Sequence, residues 1–148
     1  SRYWPPDSRL DLRKTIGELE GLDANAQFIL ETAAITHDIA CPLCREKYGN
    51  ANGKYQEKEG PAVAEPMLCT LGYDEAVIDR VLFLIAHHHT YTGIEGEDYQ
   101  ILVEADFLVN LFEDGSGRET AEKVRENIFK TKTGIKYLET LFLTERRS

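Results

Sequence analysis

Residues 23–38 read DANAQFILETAAITHD, and this stretch decides the fold of the chain. Its small and apolar side chains recur every three or four positions, which is the period of one face of an α-helix. The stripe consists of Ala26, Ile29, Leu30, Ala33, Ala34 and His37. Asp23 is a residue type that caps helix starts. The pattern predicts an amphipathic helix that begins after Asp23 and ends at His37, with Asp38 directly behind it.

The rest of the chain repeats this helical period and shows no sustained alternation typical of strands. One apolar stripe ends at His88, and another carries Asp106 and stops at the Asp-Gly-Ser-Gly run of residues 114–117. Ser116 and Glu119 have the spacing of a capping box for the following helix. A final helix is predicted to end near Arg146 and Arg147, since basic residues are favourable there.

The segment between the first two stripes, residues 41–60, contains several glycines and asparagines. We expect a long loop there, and we expect Pro61 to open the next helix, because the first helical position tolerates proline. The fold predicted for residues 1–148 is a single all-α domain, a compact bundle of five to seven helices. Its motif-bearing core covers about residues 16–113, and C-terminal helices cover residues 116–145.

The balance of charges narrows the possible partners. With 17 basic and 26 acidic residues, the net charge is -9, which argues against nucleic acid as a bulk partner, because such binding depends on Lys and Arg. No apolar run reaches the roughly 20 residues that span a bilayer, and no signal peptide opens the chain. We therefore expect a cytoplasmic protein without a membrane partner.

The three cysteines are an odd number for a disulfide framework and suit a reducing compartment. Cys41 and Cys44 form a single C-x-x-C pair. A structural zinc site usually needs two more ligands at suitable spacing, so partly buried free thiols are the preferred interpretation.

Three ionisable residues lie in stripes that should otherwise be buried, and burying such groups without partners is costly. His88 follows Val81, Leu84 and Ile85 at helical spacing, so it ranks ahead of His89, and His87 ranks last. Asp106 lies one turn after Leu102. His37 ends the first stripe, where its side chain and that of Asp38 can converge on an ion beyond the helix end.

Two imidazoles and two carboxylates suit a divalent transition metal: Mn, Fe, Co, Ni or Zn, with Mg less favoured because it prefers oxygen ligands. The predicted metal ligands are His37, Asp38, His88 and Asp106. The alternative for each residue is an ordinary hydrogen-bonded position in the core.

These residues occur in short motifs with a family likeness. The motifs are AAITHD at 33–38, KYQEKEGP at 54–61, IAHHHTY at 85–91 and VEAD at 103–106. In this order they resemble the HD superfamily of metal-dependent phosphohydrolases, in particular small uncharacterised bacterial members, over residues 16–113. The resemblance implies an all-helical HD domain in which His37, Asp38 and Asp106 bind metal. It also implies that His88 binds a second metal or contacts a substrate phosphate.

The activity implied by the resemblance is hydrolysis of a nucleotide or another small phosphate ester by a metal-activated water. Asp38 would bridge metals or position the water, and His88 or His89 would donate a proton to the leaving oxygen. Lys54 is the candidate substrate contact in the charged segment. Glu59, like Glu57, is a candidate ligand or general base.

The sequence departs from the family pattern at two places. Members with one metal usually carry an earlier histidine, expected near Pro5, but no histidine precedes His37. Members with two metals carry a histidine near Gln56, where Glu57 and Glu59 are possible substitutes. One ion is thus favoured over two.

Two other functions remain open: a diiron oxygenase on the same scaffold, and a degenerate domain that binds a nucleotide or a partner without turnover. The sequence is also compatible with a homo-oligomer.

Overall fold

The structure is a computed structural model that describes residues 8–144, with side chains from Leu12 onward. This part of the chain folds into eight α-helices and a closing π-helical turn, and it contains no strand. The elements are α1 (Ser8–Leu19), α2 (Ala24–Thr36), α3 (Cys41–Tyr48), α4 (Gly53–Thr70), α5 (Glu75–His87), α6 (Glu97–Glu113), α7 (Arg118–Asn127), α8 (Lys132–Leu138) and the turn Glu139–Leu143. The predicted all-α bundle is confirmed.

Helix α2 has the boundaries that the stripe of residues 23–38 predicts. The Asp23 carboxylate accepts a hydrogen bond from the backbone N–H of Ala26 at 2.8 Å, and His37 caps the other end of the helix. The stripe faces inward, because Ile29, Leu30, Ala33 and Ala34 are all buried. The period therefore predicted both the helix and its buried face.

The predicted loop over residues 41–60 is wrong. Helix α3 occupies residues 41–48, and α4 begins at Gly53, where the Asn52 side chain accepts a hydrogen bond from the N–H of Lys54 at 3.0 Å. Pro61 does not open a helix, since α4 continues through it and through Pro66.

Tertiary packing explains why α4 passes through two prolines. The helix lies against α5, and Gly60 is buried where it faces Ile85 of that helix. A Cβ atom added there would lie 2.5 Å from Cγ2 of Ile85. The absence of a side chain at Gly60 permits this approach, and the buried residues Ala64 and Leu68 extend the contact surface of α4.

Helix α6 lies at the centre of the bundle. Its residues from Asp98 to Ala105 are all buried, and α1, α2 and α8 pack against it. Helix α5 packs on α2 and on α4, while α3 packs on α4. The C-terminal ends of α2 and α5 therefore belong to neighbouring helices, and α2 also packs on α6.

A buried carboxylate joins α6 to the C-terminal helices. Glu104 is fully buried, and its two oxygens accept hydrogen bonds from the Gln100 side chain, the N–H groups of Lys130 and Thr131, and the Thr131 hydroxyl, at 2.6–3.0 Å. Thr131 in turn caps α8 by accepting from the N–H of Gly134 at 2.9 Å. The acid at this position is satisfied by hydrogen bonds, as a buried carboxylate requires.

The C-terminal helices differ in detail from the prediction. The expected capping box of Ser116 and Glu119 is wrong, because Gly117 is the N-cap of α7 and no side chain bonds to that helix end. The predicted helix end near Arg146 and Arg147 lies outside the described residues, as does the position near Pro5.

The cysteines are free, as predicted: Cys44 is buried, Cys41 is partly buried, and Cys69 is exposed. Among the described residues, no helix is both long and apolar enough to cross a membrane.

Candidate functional site

Two buried histidines meet where α2 and α5 end. His37 is the C-cap of α2 and His88 the C-cap of α5, and their side chains are almost inaccessible to solvent. Their rings lie edge to face, with centroids 5.2 Å apart. His88 is buried, as its place in the apolar stripe predicted, whereas His87 and His89 are both partly buried, so the order of these two stays a prediction.

Backbone carbonyls orient both rings. Nδ1–H of His37 donates to the carbonyl of Ala34 at 2.8 Å, and Nδ1–H of His88 donates to that of Ile85 at 2.6 Å. A carbonyl only accepts, so Nδ1 carries the proton in each ring, and Nε2 of the neutral ring keeps its lone pair. Metal-ligating histidines are held in this way, with the non-ligating nitrogen bonded to a carbonyl or carboxylate.

The environment keeps these imidazoles neutral. Burial lowers the pKa of His37 to about 3, assisted by the positive charge of Arg13 and by His88. Burial, assisted by His89, lowers the pKa of His88 to about 4. Near neutral pH both rings are therefore unprotonated at Nε2 and available as ligands or hydrogen-bond acceptors.

The side-chain oxygen of Gln56 lies next to Nε2 of His88. Its side-chain amide N–H donates to the carbonyl of Ala51 at 2.7 Å, which turns its Oε1 toward Nε2 of His88 at 3.2 Å. When His88 is neutral with its proton on Nδ1, the lone pair of its Nε2 faces a lone pair of Gln56 Oε1. A cation shared by the two atoms removes this repulsion.

Asp106 lies on α6, and its charge acts on both histidines. It raises the pKa of His37 and of His88, opposing the effect of burial. Its Oδ1 pairs with Nη2 of the buried Arg13 at 3.5 Å, and its Oδ2 accepts from the Asn110 amide at 3.2 Å. His37, His88 and Asp106 are the candidate cluster: the two rings are in contact, and Asp106 as a third ligand beside them stays a prediction.

Asp38 directly follows His37 but differs from it in its access to solvent. It is exposed in the turn after α2, and its charge contributes, after burial, to raising the pKa of the Cys41 thiol. Its backbone carbonyl accepts from the N–H of Cys41 at 3.0 Å. The assignment of Asp38 as a metal ligand stays a prediction.

Lys54 and Glu57 lie on the first turns of α4, next to the segment that follows His88. The Glu57 carboxylate accepts from the N–H of His89 at 2.9 Å and from the Thr90 hydroxyl at 2.8 Å. The Lys54 ammonium bonds to Glu57, to the carbonyl of His89 and to Thr90, yet about two-thirds of its side chain is exposed. It therefore lies close to the histidines and in reach of solvent.

Glu59 is placed differently. Its carboxylate accepts hydrogen bonds from the Tyr48 hydroxyl and, at 3.0 Å, from the Lys47 ammonium, both on α3. Tyr48 also stacks on Tyr55 of α4. Through these contacts, Glu59 joins α4 to α3.

The donor set determines how a metal would fit. Among residues 8–144, no group of three or more His, Cys, Asp and Glu side chains is already arranged to hold an ion. The two oriented imidazoles are of the ligand type that transition metals favour, whereas Asp106 is paired with Arg13 in this structure.

Two neighbours of the cluster were not recognised from the sequence. Arg13 is almost completely buried on α1. Its spacing from Ile16 and Gly17, both buried, is the only signal in the sequence that it faces inward. Tyr91 packs on Phe107, and burial followed by the charges of Asp106 and Glu57 raises the pKa of its hydroxyl to about 12.

The chain matches no protein-family model, and no curated protein or solved structure is significantly similar to it. Its function is therefore argued from the geometry of this cluster.

Proposed function

We propose that the chain is a metal-dependent phosphohydrolase that acts on a nucleotide or another small phosphate ester. One observation carries the proposal: His37 and His88 are neutral, lie side by side, and have Nδ1 bonded to backbone carbonyls, which leaves both Nε2 lone pairs available. Two adjacent buried rings with strongly lowered pKa values are typical of functional sites.

The residues that would hold the ion are His37, His88 and Asp106. This mixed nitrogen and oxygen set favours Mn, Fe, Co, Ni or Zn over Mg. A bound ion would polarise a phosphoryl oxygen and acidify a water molecule.

The protein's own groups supply orientation and charge. The carbonyls of Ala34 and Ile85 hold the two rings. Lys54 is retained as the substrate contact, because its exposed ammonium already lies beside His89 and Thr90 and can turn to a phosphate at little cost. Glu59 receives no role in the reaction, since Tyr48 and Lys47 occupy its carboxylate.

A single ion is favoured over the diiron alternative. A second ion would draw on Glu57 or Glu59, and both carboxylates are held by other side chains of the bundle.

The proposal is tested by binding and by turnover. Chelator-stripped protein is titrated with Mn²⁺, Ni²⁺ and Zn²⁺ by calorimetry, and the loaded protein is assayed on a panel of nucleotide and sugar phosphates. The His37→Ala and His88→Ala variants are expected to lose metal binding. The His87→Ala variant is the matched control, because the His87 ring stacks on Phe83 at the rim and should not affect the ion.

Binding that survives both His37→Ala and His88→Ala would remove the proposed site. Wild-type protein that binds these ions at His37 and His88 but hydrolyses none of the phosphate esters would exclude the activity and leave a metal-binding domain.

A second function, the degenerate domain that binds a ligand without turnover, is favoured by the Arg13–Asp106 ion pair. A guanidinium in the cluster supplies the positive charge that a phosphate needs without any metal. Binding of a nucleotide by the chelator-treated protein, together with absence of turnover, would support this function instead.

A further inference from the structure

A cavity opens between the end of α1 and the C-terminal helices. Its volume is about 480 Å³, which falls in the range of small-molecule pockets. Six residues of α1, α8 and the closing turn line it: Leu19, Lys132, Thr133, Lys136, Tyr137 and Thr140. None of them belongs to the histidine cluster, so the cavity is a separate feature of the chain.

Two hydrogen bonds hold the walls of this cavity together. Glu20 directly follows Leu19, and its Oε2 accepts from the N–H of Thr133 at 2.9 Å and from the Thr133 hydroxyl at 2.6 Å. These bonds tie the end of α1 to the first turn of α8. Glu20 itself does not line the cavity. The cavity is therefore built into the fold, as ligand pockets usually are.

Two ammonium groups give the cavity a positive charge. Lys132 and Lys136 are exposed and lie one helical turn apart, so their side chains share a face of α8. Among the ion pairs of residues 8–144, none involves either lysine. The whole chain has a net charge of -9, so two adjacent cations without a carboxylate partner are a local exception that suits an anion.

The remainder of the lining offers apolar surface and few hydrogen-bond donors. Leu19 is 65% exposed, and the Tyr137 ring is partly buried. The Thr133 hydroxyl donates to Glu20 and cannot donate to a ligand at the same time. The base and sugar of a nucleotide would find few partners here. A ligand with one anionic head and an apolar body matches both parts of the lining.

We propose that this cavity binds an amphipathic carboxylate, that is, a carboxylate that carries a short aliphatic chain. The head would lie between Lys132 and Lys136, which can donate charge-assisted hydrogen bonds to it. The chain would cover Leu19 and Tyr137 and remove their apolar surface from water, which adds affinity that exposed ion pairs alone do not supply. This site goes beyond the phosphohydrolase proposal and does not depend on it.

The first test varies the probe on the wild-type chain. Calorimetry is expected to show saturable binding of one octanoate per chain, and octanoate should shift the amide NMR signals of residues 132–140. Acetate lacks the chain and octyl glucoside lacks the charge, so both should bind far more weakly. Hexanoate should bind about fourfold more weakly for each missing methylene that the cavity covers. Equal binding of octanoate and octyl glucoside would overturn the proposal.

The second test varies the protein at exposed positions, where substitution should not disturb the fold. Lys132→Gln and Lys136→Gln are each expected to raise the Kd for octanoate by up to about fivefold. Leu19→Ser should raise it as well, because the apolar wall is lost. Lys130→Gln is the matched control, since Lys130 is exposed but lies outside the lining. An equal loss in Lys130→Gln would show general attraction of anions and overturn the site.

Two other occupants of this surface give different results. Phosphatidylserine vesicles might capture the wild type but not the double variant Lys132→Gln, Lys136→Gln, while octanoate does not bind; the surface would then contact membranes. A dimer in sedimentation that the double variant dissociates and octanoate leaves intact would make the occupant a second copy of the chain. Either result would overturn the proposal.

Discussion

The rings of His37 and His88 meet at a centroid distance of 5.2 Å and an interplanar angle of 80°, although they end two different helices. Neither ring can take up a proton at Nε2 without placing a charge in the interior next to the other. The packing of α2 against α5 therefore depends on whether these two histidines are protonated.

The first prediction concerns stability and pH in the metal-free protein. The folded-state pKa values of His37 and His88, about 3 and about 4, lie below the usual value of 6.5. Between about pH 6.5 and pH 4, the unfolded chain then binds more protons than the folded chain. The free energy of unfolding is expected to fall as pH drops through this window, by about 1.4 kcal/mol per pH unit for each histidine.

Urea unfolding at several pH values measures this slope. The double variant His37→Gln, His88→Gln should be less stable at pH 7 and should have a much flatter profile. A wild-type stability that does not change between pH 7 and pH 5 would contradict the pKa assignment.

The second prediction concerns Glu104 and Gly134. Glu104→Gln is expected to lower the free energy of unfolding by about 3 kcal/mol, because an amide N–H₂ replaces an acceptor that faces N–H donors. Gly134→Ala should cost about 2 kcal/mol, since its Cβ would lie 1.9 Å from Oε1 of Glu104. Chemical denaturation followed by circular dichroism measures both.

Matched controls separate these effects from general ones. Glu119→Gln changes an exposed acid on α7 and should change stability by less than about 0.5 kcal/mol. Gly117→Ala adds a Cβ that meets no atom within 4 Å, so it should cost less than Gly134→Ala, about 0.5–1 kcal/mol for alanine at the N-cap of α7. Equal losses in controls and test variants would remove the special role of Glu104.

The third prediction concerns Glu57, which holds the segment after His88. Burial would raise its pKa, but hydrogen bonds from Thr90, His89 and Lys54 outweigh that effect and lower it. Glu57→Ala is expected to cost about 2 kcal/mol and to speed hydrogen exchange at the His89 amide. Lys54→Ala, which removes an exposed ion pair, should cost less than about 0.5 kcal/mol. An unchanged exchange rate at His89 in Glu57→Ala would contradict the assigned bond.

The fourth prediction tests the contact between α4 and α5. In Gly60→Ala, the new methyl would lie 2.5 Å from Cγ2 of Ile85, a side chain that is stiff at χ1. We expect overpacking to outweigh the gain of about 1 kcal/mol in helix propensity, with a net loss of about 1–2 kcal/mol. Ile85→Ala should relieve part of that loss, so the double variant should be more stable than the sum of the single changes implies. Strict additivity would count against the contact.

The helical spacing of apolar residues predicted the helices that carry a clear buried stripe. It failed where the local residue composition and the tertiary packing favour different structures. Residues 23–38 carry a clean stripe, and α2 follows it. Residues 41–60 contain helix-breaking residue types, yet they form α3 and the start of α4, because the packing of α3 on α4 and of α4 on α5 outweighs local propensity.

The site was predictable to the extent that its residues lie in apolar stripes. His37, His88 and Asp106 each occupy such a position, and the fold brings the rings of His37 and His88 into contact. Arg13 was not predicted, because arginine is almost always exposed unless it is paired, and its partner Asp106 is distant in the sequence. The contacts of Lys54 and Glu59 likewise depend on how α3, α4 and α5 pack, which periodicity does not encode.

The hydrogen bonds of Glu104 also set an order in which parts of the chain can fold during synthesis. This acid lies on α6, but three of its donors belong to Lys130 and Thr131, which the ribosome adds much later. A nascent chain that ends at α6 exposes an acid that the finished interior encloses. Completion of the bundle during synthesis must therefore wait until α8 has emerged, even though every residue of the histidine cluster is already present.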